Sequence, residues 1–130
     1  MEDLAFIAYK SIFNQSKYTP MDFSKIVSTS RQHNKDKNIT GILVFDGVNI
    51  FQYIEGNGDE IASLYQRICL DDRHYEIKLL SKNIVNNRKF TQWDMGYYYM
   101  NSEDLSIDQL FNESMQIDDL LKFIDKIDVV

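Results

Sequence analysis

The stretch N-I-F-Q-Y-I-E-G at residues 49–56 has the period of a β-strand. Side chains alternate along a strand, so Ile50, Gln52 and Ile54 point to one face and Phe51, Tyr53 and Glu55 to the other. Gln52 thereby falls on an apolar face. A carboxamide carries donors and acceptors at once, and burying it without partners costs about 1–3 kcal/mol, so a polar group must meet it there. Just upstream, I-T-G-I-L-V-F (residues 39–45) reads as another strand, and Asp46-Gly47 makes the tight turn of a hairpin joining the two.

Outward from this hairpin the elements repeat a simple order. Leu4 to Lys10 is a first strand with Ala5, Ile7 and Tyr9 on one face and Leu4, Phe6 and Ala8 on the other. Both faces are apolar, which predicts a sheet covered on both sides. Residues 11–18 read as a loop. Thr19-Pro20 with Asp22 starts a helix running to about Asn34: Thr19 caps, Pro20 suits the first turn and Asp22 favours the positive end of the dipole. Its inward stripe is Phe23, Ile26, Val27, Ser30 and Asn34, the last two small or polar, which leaves room and a hydrogen-bonding group. Arg31 and His33 lie off the stripe, and His33 reads as a solvated residue near the helix end.

A second helix follows Gly58, with Ile61, Leu64, Tyr65 and Ile68 at helical spacing and Cys69 packing beside them. The alternation of Tyr75, Ile77 and Leu79 predicts a fourth strand. Trp93 to Met100 predicts a fifth, on which Trp93, Met95, Tyr97 and Tyr99 share a face. From Ser106 the tail reads as helical, with an apolar stripe of Ile117, Leu120, Leu121, Ile124 and Ile127 suited to the second sheet face. The order βαββαββ predicts an α+β, ferredoxin-like sheet with two helices on one face and the C-terminal helical tail on the other.

With 130 residues, 44% of them hydrophobic, the chain suits one globular unit. A formal charge of −6 argues against a nucleic-acid partner, which needs clustered Lys and Arg. The single cysteine, the start M-E-D-L-A-F-I and the lack of a long apolar run predict a cytoplasmic protein with neither signal peptide nor membrane span. The charged cluster at residues 71–74 reads on its own as a solvated helix end. Tyr9, Asn34 and Gln52 converge between the sheet and the helices. On periodicity alone that convergence fits a structural polar network as well as a ligand site.

Several separated blocks, in order, resemble the BLUF family of flavin-binding blue-light sensors. They are Tyr9 with Ser11, S-R-Q-H-N-x-x-x-x-I-T-G-I-L (30–43), F-Q-Y-I-E-G (51–56), L-Y-Q-R-I-C-L-D-D-R-H (64–74) and R-K-F-T-Q-W-D-M (88–95). The resemblance implies a noncovalent FAD, or FMN or riboflavin in its place, between the two helices. It makes Tyr9 and Gln52 the photoactive pair and Asn34 the flavin anchor, with Ile26 and Ser30 preceding it on the helix. Arg67, Ile68, Asp71, Arg73 and His74 fall at positions along the flavin, and Trp93 and Met95 at positions associated with output. It covers residues 4 to 100, so residues 1–100 are expected to be the photosensor core and residues 101–130 a helical extension of the same unit. Ser30-Arg31 departs from the family's frequent Ala-Arg, and Lys10 follows the tyrosine, but no photoactive group is lost.

Tyr9 suits electron and proton donation, since a phenol stays protonated until it is oxidised. Gln52 suits relay, because turning or tautomerising its amide exchanges donor for acceptor. A covalent flavin photosensor does not fit, because Cys69 lies in R-I-C-L-D without the asparagine-cysteine-arginine context of that class. Nor does an acylphosphatase-like hydrolase, because no Gly-rich loop follows the first strand. The chain is thus expected not to be an enzyme. Its response would pass to a protein partner or to a second copy through the C-terminal helices. The alternative is a colourless ligand-binding or assembly module on the same fold.

Overall fold

The strand that carries Gln52 occupies the centre of the sheet. The computed structural model describes residues 3–91, 93–100, 107, 111, 116–126 and 129. The elements are β1 (Leu4–Phe13), α1 (Pro20–Asp36), β2 (Thr40–Phe45), β3 (Asn49–Asn57), α2 (Gly58–Leu70), β4 (His74–Ile84), β5 (Gly96–Tyr99) and α3 (Ile117–Ile124). The strands lie in the order β4-β1-β3-β2-β5. All neighbours run antiparallel except β2 and β5, which are parallel. This is the expected ferredoxin-like arrangement with one strand added at the β2 edge.

Local chemistry accounts for most boundaries. Thr19 and Asp22 form a reciprocal capping box on α1, with Thr19 Oγ1 accepting from the Asp22 amide and Asp22 Oδ2 accepting from the Thr19 amide at 2.8 Å. Asn57 caps α2 by accepting from the amides of Asp59 and Glu60. In the β2–β3 turn Asp46 accepts from the amides of Val48 and Asn49, and Gly47 takes a left-handed φ of 96°.

The alternation read from residues 49–56 is realised as two apolar layers. On the helix side, Ile7, Tyr9, Leu43, Ile50 and Ile54 pack with Phe23, Val27 and Ile61 of the helices. On the other side, Phe6, Ile42, Phe51 and Tyr53 pack with Ile107, Phe111 and Ile124 of the tail. Phe51 stacks on Phe111 at 4.0 Å, and Leu121 and Phe123 pack on the same layer. The expected tail stripe is thus seen at Leu121 and Ile124. Ser106, Ile127 and the side chains of Ile117 and Leu120 lie outside the described residues. Among those described, no helix is long and apolar enough to cross a membrane.

Four expectations are corrected. Residues 11–13 are not loop but the end of β1. Ser11 pairs with Ile50, and both Ser11 and Phe13 are buried, so the period of two simply continues. Cys69 does not pack beside the α2 stripe but is exposed. Register shifts between β1 and β4, together with a left-handed Glu76, break the alternation of the fourth strand. Tyr75 and Leu79 are therefore exposed while Ile77 packs inward.

The fourth correction concerns function. The fifth strand begins at Gly96, not at Trp93, so Trp93 and Met95 do not share a face. Met95 joins the helix-side layer, whereas Trp93 packs on the tail side against Phe90, ring centroids 6.1 Å apart. A period of two holds only for extended chain, and residues 93–95 are irregular.

Candidate functional site

β3, α1 and α2 enclose an open cavity of about 880 Å³, counting the solvent in its mouth. Small Ser30 and slender Thr29 on α1 leave the gap that a Leu or Val at Ser30 would fill. Apolar Ile26 and Ile68 form facing walls, and Tyr9, Asn34 and Gln52 supply buried polar groups.

Tyr9 is 3% and Gln52 4% exposed, and they are paired across β1 and β3. The Tyr9 hydroxyl donates a hydrogen bond to Gln52 Oε1. Burial, with smaller contributions from Tyr65, Asp71 and Cys69, pushes the Tyr9 phenol well above its ordinary range and keeps it neutral. On its other side Gln52 Nε2 lies 3.6 Å from Met95 Sδ. A thioether is a weak acceptor, so the amide NH2 retains donating capacity toward the cavity. Asn34, 1% exposed, donates from Nδ2 to the Asp94 carbonyl at 2.7 Å, which joins the cavity wall to the segment carrying Met95.

The polar end of the cavity is made by Arg67, Asp71, Arg73 and His74. Arg73 grips both carboxylate oxygens of Asp71, Nε lying 2.9 and 3.0 Å away. Burial raises the Asp71 carboxyl, but the hydrogen bonds and charge of Arg73 outweigh it and hold the group below its ordinary value. His74 Nε2 lies 2.6 Å from the Ile68 carbonyl, which can only accept, so that nitrogen carries a proton. Its Nδ1 meets Ser11 Oγ at 2.7 Å.

The cavity thus brings together Tyr9, Ile26, Ser30, Asn34, Gln52, Arg67, Ile68, Asp71, Arg73 and His74, and Met95 touches Gln52 from beside it. Trp93 stands apart on the opposite layer. His33, expected to be solvated, lines the cavity. Arg67 Nη2 lies 2.5 Å from its Nε2. A guanidinium only donates, so Nε2 accepts and the ring proton sits on Nδ1, which is buried with no hydrogen-bond partner. The narrow stripe drawn on α1 missed this residue because a helix bordering a cavity offers a broader arc than one seam. Arg31 and Glu55 were missed as well. Arg31 Nε donates to the Met95 carbonyl at 2.9 Å, and Glu55 is wholly buried on the far side of the sheet.

Residues 4–96 match the family model described as BLUF, sensors of blue-light using FAD. Over 74 residues, 57% of this chain, the sequence is 36% identical to the blue light- and temperature-regulated antirepressor BluF of Escherichia coli (strain K12). Over 89 residues, 68% of the chain, it is 24% identical to the photoactivated adenylate cyclase subunit beta of Euglena gracilis. The matches span only 18% and 10% of those two relatives. Among solved structures, the photo-activated state of BlsA superposes with a TM-score of 0.78 at 25% identity, over 95% of this chain and 93% of that one.

Proposed function

The chain belongs to the BLUF family of blue-light sensors using FAD, and from that premise we propose that its light response starts at the Tyr9–Gln52 pair beside the cavity. The observation that carries this reading is the buried Tyr9 to Gln52 hydrogen bond, with Met95 on the amide's other end. The donor set suits a flavin: flat apolar walls at Ile26 and Ile68, and unspent donors at Gln52 Nε2 and His33 Nδ1 for ring carbonyls or nitrogens. Asn34 and Ser30 would hold the ring, and Arg67, Arg73, Asp71 and His74 would hold the more polar parts of the cofactor. FMN or riboflavin fits the same ring site.

A bound flavin supplies absorption of blue light and an excited state that accepts an electron. Beside such a group Tyr9 would serve as the electron donor, and its hydroxyl proton, made strongly acidic by oxidation, would move along the existing hydrogen bond to Gln52 Oε1. Gln52 then rotates or tautomerises, which exchanges donor for acceptor at each end of the amide. With Tyr9 neutral again no covalent bond would remain, only a different hydrogen-bond pattern at Gln52 in which Met95 would face a changed partner. Each altered bond is worth about 1 kcal/mol net, enough to bias a two-state element.

The chain itself acts as a sensor, not as a catalyst, and its output passes to a separate protein or to a second copy through the C-terminal helices. That the Escherichia coli relative is described as an antirepressor supports a protein partner. The test is the absorption spectrum of the purified protein before and after blue light. The expected result is a yellow protein with about one flavin per chain, released on denaturation, and a small red shift that reverses in darkness. A colourless protein that takes up no added FAD would leave a ligand-binding or assembly module as the function.

A further inference from the structure

We propose that Glu55 is a positioning residue for the light response: its buried carboxylate fixes the segment 88–95 that carries Met95 to Gln52 and Trp93 to the tail. The proposal rests on the photosensor reading above.

Glu55 follows Gln52 by three residues on β3, so its side chain leaves the opposite face of the sheet from the cavity. It is 0% exposed, and its carboxylate is met by backbone amides and hydroxyls. Its oxygens accept from the backbone amides of Lys89 at 2.8 and 2.9 Å and of Phe90 at 2.6 Å. The hydroxyls of Tyr53 and Thr40 lie 3.2 Å away and complete the set. An ionised carboxylate is acceptor-only, which matches four donors and no acceptor. Arg88 reinforces the same end of the segment by donating to Thr40 Oγ1, the Glu55 carbonyl and the Asn38 carbonyl.

The other end is held from the cavity side. The Gly41 amide donates to the Trp93 carbonyl, Asn34 to the Asp94 carbonyl and Arg31 to the Met95 carbonyl. Among its described residues the segment has no strand ladder of its own, so its position rests on these side-chain bonds, on the single backbone bond from Gly41 and on the packing of Phe90 and Trp93. Phe90, whose amide Glu55 holds, packs edge-on against Tyr53 and beside Trp93 in the layer that also contains Ile124 of α3. A change of the Gln52 amide therefore moves Met95 against a segment pinned at Glu55, and the displacement emerges at Phe90 and Trp93 beneath the tail. Without the pin the segment yields locally, and the tail does not register the event.

The experiment compares wild type, Glu55→Gln and Thr40→Val as full-length, flavin-loaded protein, in darkness and under blue light. Glu55→Gln keeps the shape but turns one acceptor into a donor facing the Lys89 and Phe90 amides, and Thr40→Val removes one donor to the carboxylate and one of the three acceptors of Arg88. Both are expected to bind flavin and to form the red-shifted state. Dark recovery is expected to change about fivefold, the factor for one net hydrogen bond, and the light-induced change in amide exchange across residues 116–126 to be lost in Glu55→Gln and reduced in Thr40→Val. A purely structural role lowers the melting temperature and leaves recovery and the light-minus-dark exchange as in wild type; that result overturns the proposal. If Glu55→Gln does not fold, Thr40→Val decides by the same two readouts. A wild type without a red shift removes the photosensor reading and this role together, and is told apart from failure of the pin alone, in which wild type responds and the variants respond identically.

Discussion

Removing both partners of the Tyr9–Gln52 bond should cost less than the sum of removing each alone. Tyr9→Phe leaves the buried Gln52 carbonyl without its donor, and Gln52→Leu leaves the buried Tyr9 hydroxyl without its acceptor. Each single change forfeits a net bond and orphans a group in a site at most 4% exposed, about 1–3 kcal/mol apiece. The double variant replaces both by apolar groups of similar shape and leaves no orphan. Its cost should therefore fall short of the sum of the singles by about 1–2 kcal/mol. For a chain of this size that is about 3–8 °C in melting temperature. The assay is a double-mutant cycle by thermal or denaturant unfolding in the dark at a fixed excess of flavin, because bound ligand shifts stability by mass action. All three variants should stay yellow and lose the normal red-shifted state. Additivity within about 0.5 kcal/mol would show that the two side chains are not coupled in the folded protein, and a full reversible shift in Tyr9→Phe would remove the phenol from the photochemistry.

Because burial raises the Tyr9 phenol above its ordinary value of 10.0, the amplitude of the red shift should be flat with pH up to about 10 when followed by difference absorption. The sign for stability follows: the contribution of neutral Tyr9 is present below the unfolded value and is lost as pH rises from there toward the higher folded value. Asp71 is the opposite case, held by Arg73 below 3.8, so its contribution is present above that value and lost as pH falls through the lower folded one. Melting temperatures of wild type and Asp71→Asn should therefore converge in acid. Asn34→Ala should cost about 1–2 kcal/mol by breaking the bond to the Asp94 carbonyl, and should weaken flavin binding about tenfold in a fluorescence titration; unchanged affinity would exclude Asn34 as an anchor.

What the sequence determined by itself is whatever has a period. Alternation along residues 4–9 and 49–56 assigned Tyr9 and Gln52 to the helix side and Phe6, Phe51 and Tyr53 to the tail side, and all five are found there. The same counting continued past Lys10 would have extended β1 to Phe13, since Ser11 and Phe13 keep the pattern. Thr19 with Asp22 announced the start of α1 through chemistry confined to four residues. Ser30 and Asn34 announced the cavity by being small and polar on an inward stripe.

The tertiary structure alone decided the parts of the site that have no period. The described residues of 88–95 form no ladder, so nothing local says that Met95 turns to Gln52 while Trp93, two residues earlier, turns to Phe90 on the opposite layer. Their directions are imposed by partners remote in sequence: Arg31 lies 64 positions from Met95, Asn34 lies 60 from Asp94, and Glu55 lies 35 from Phe90. His33 and Glu55 likewise read as ordinary polar residues until the chain closes around them. A strand or helix fixes side-chain direction through its own repeating backbone bonds, whereas an irregular segment takes its direction from hydrogen bonds that exist only once the sheet and α1 have come together.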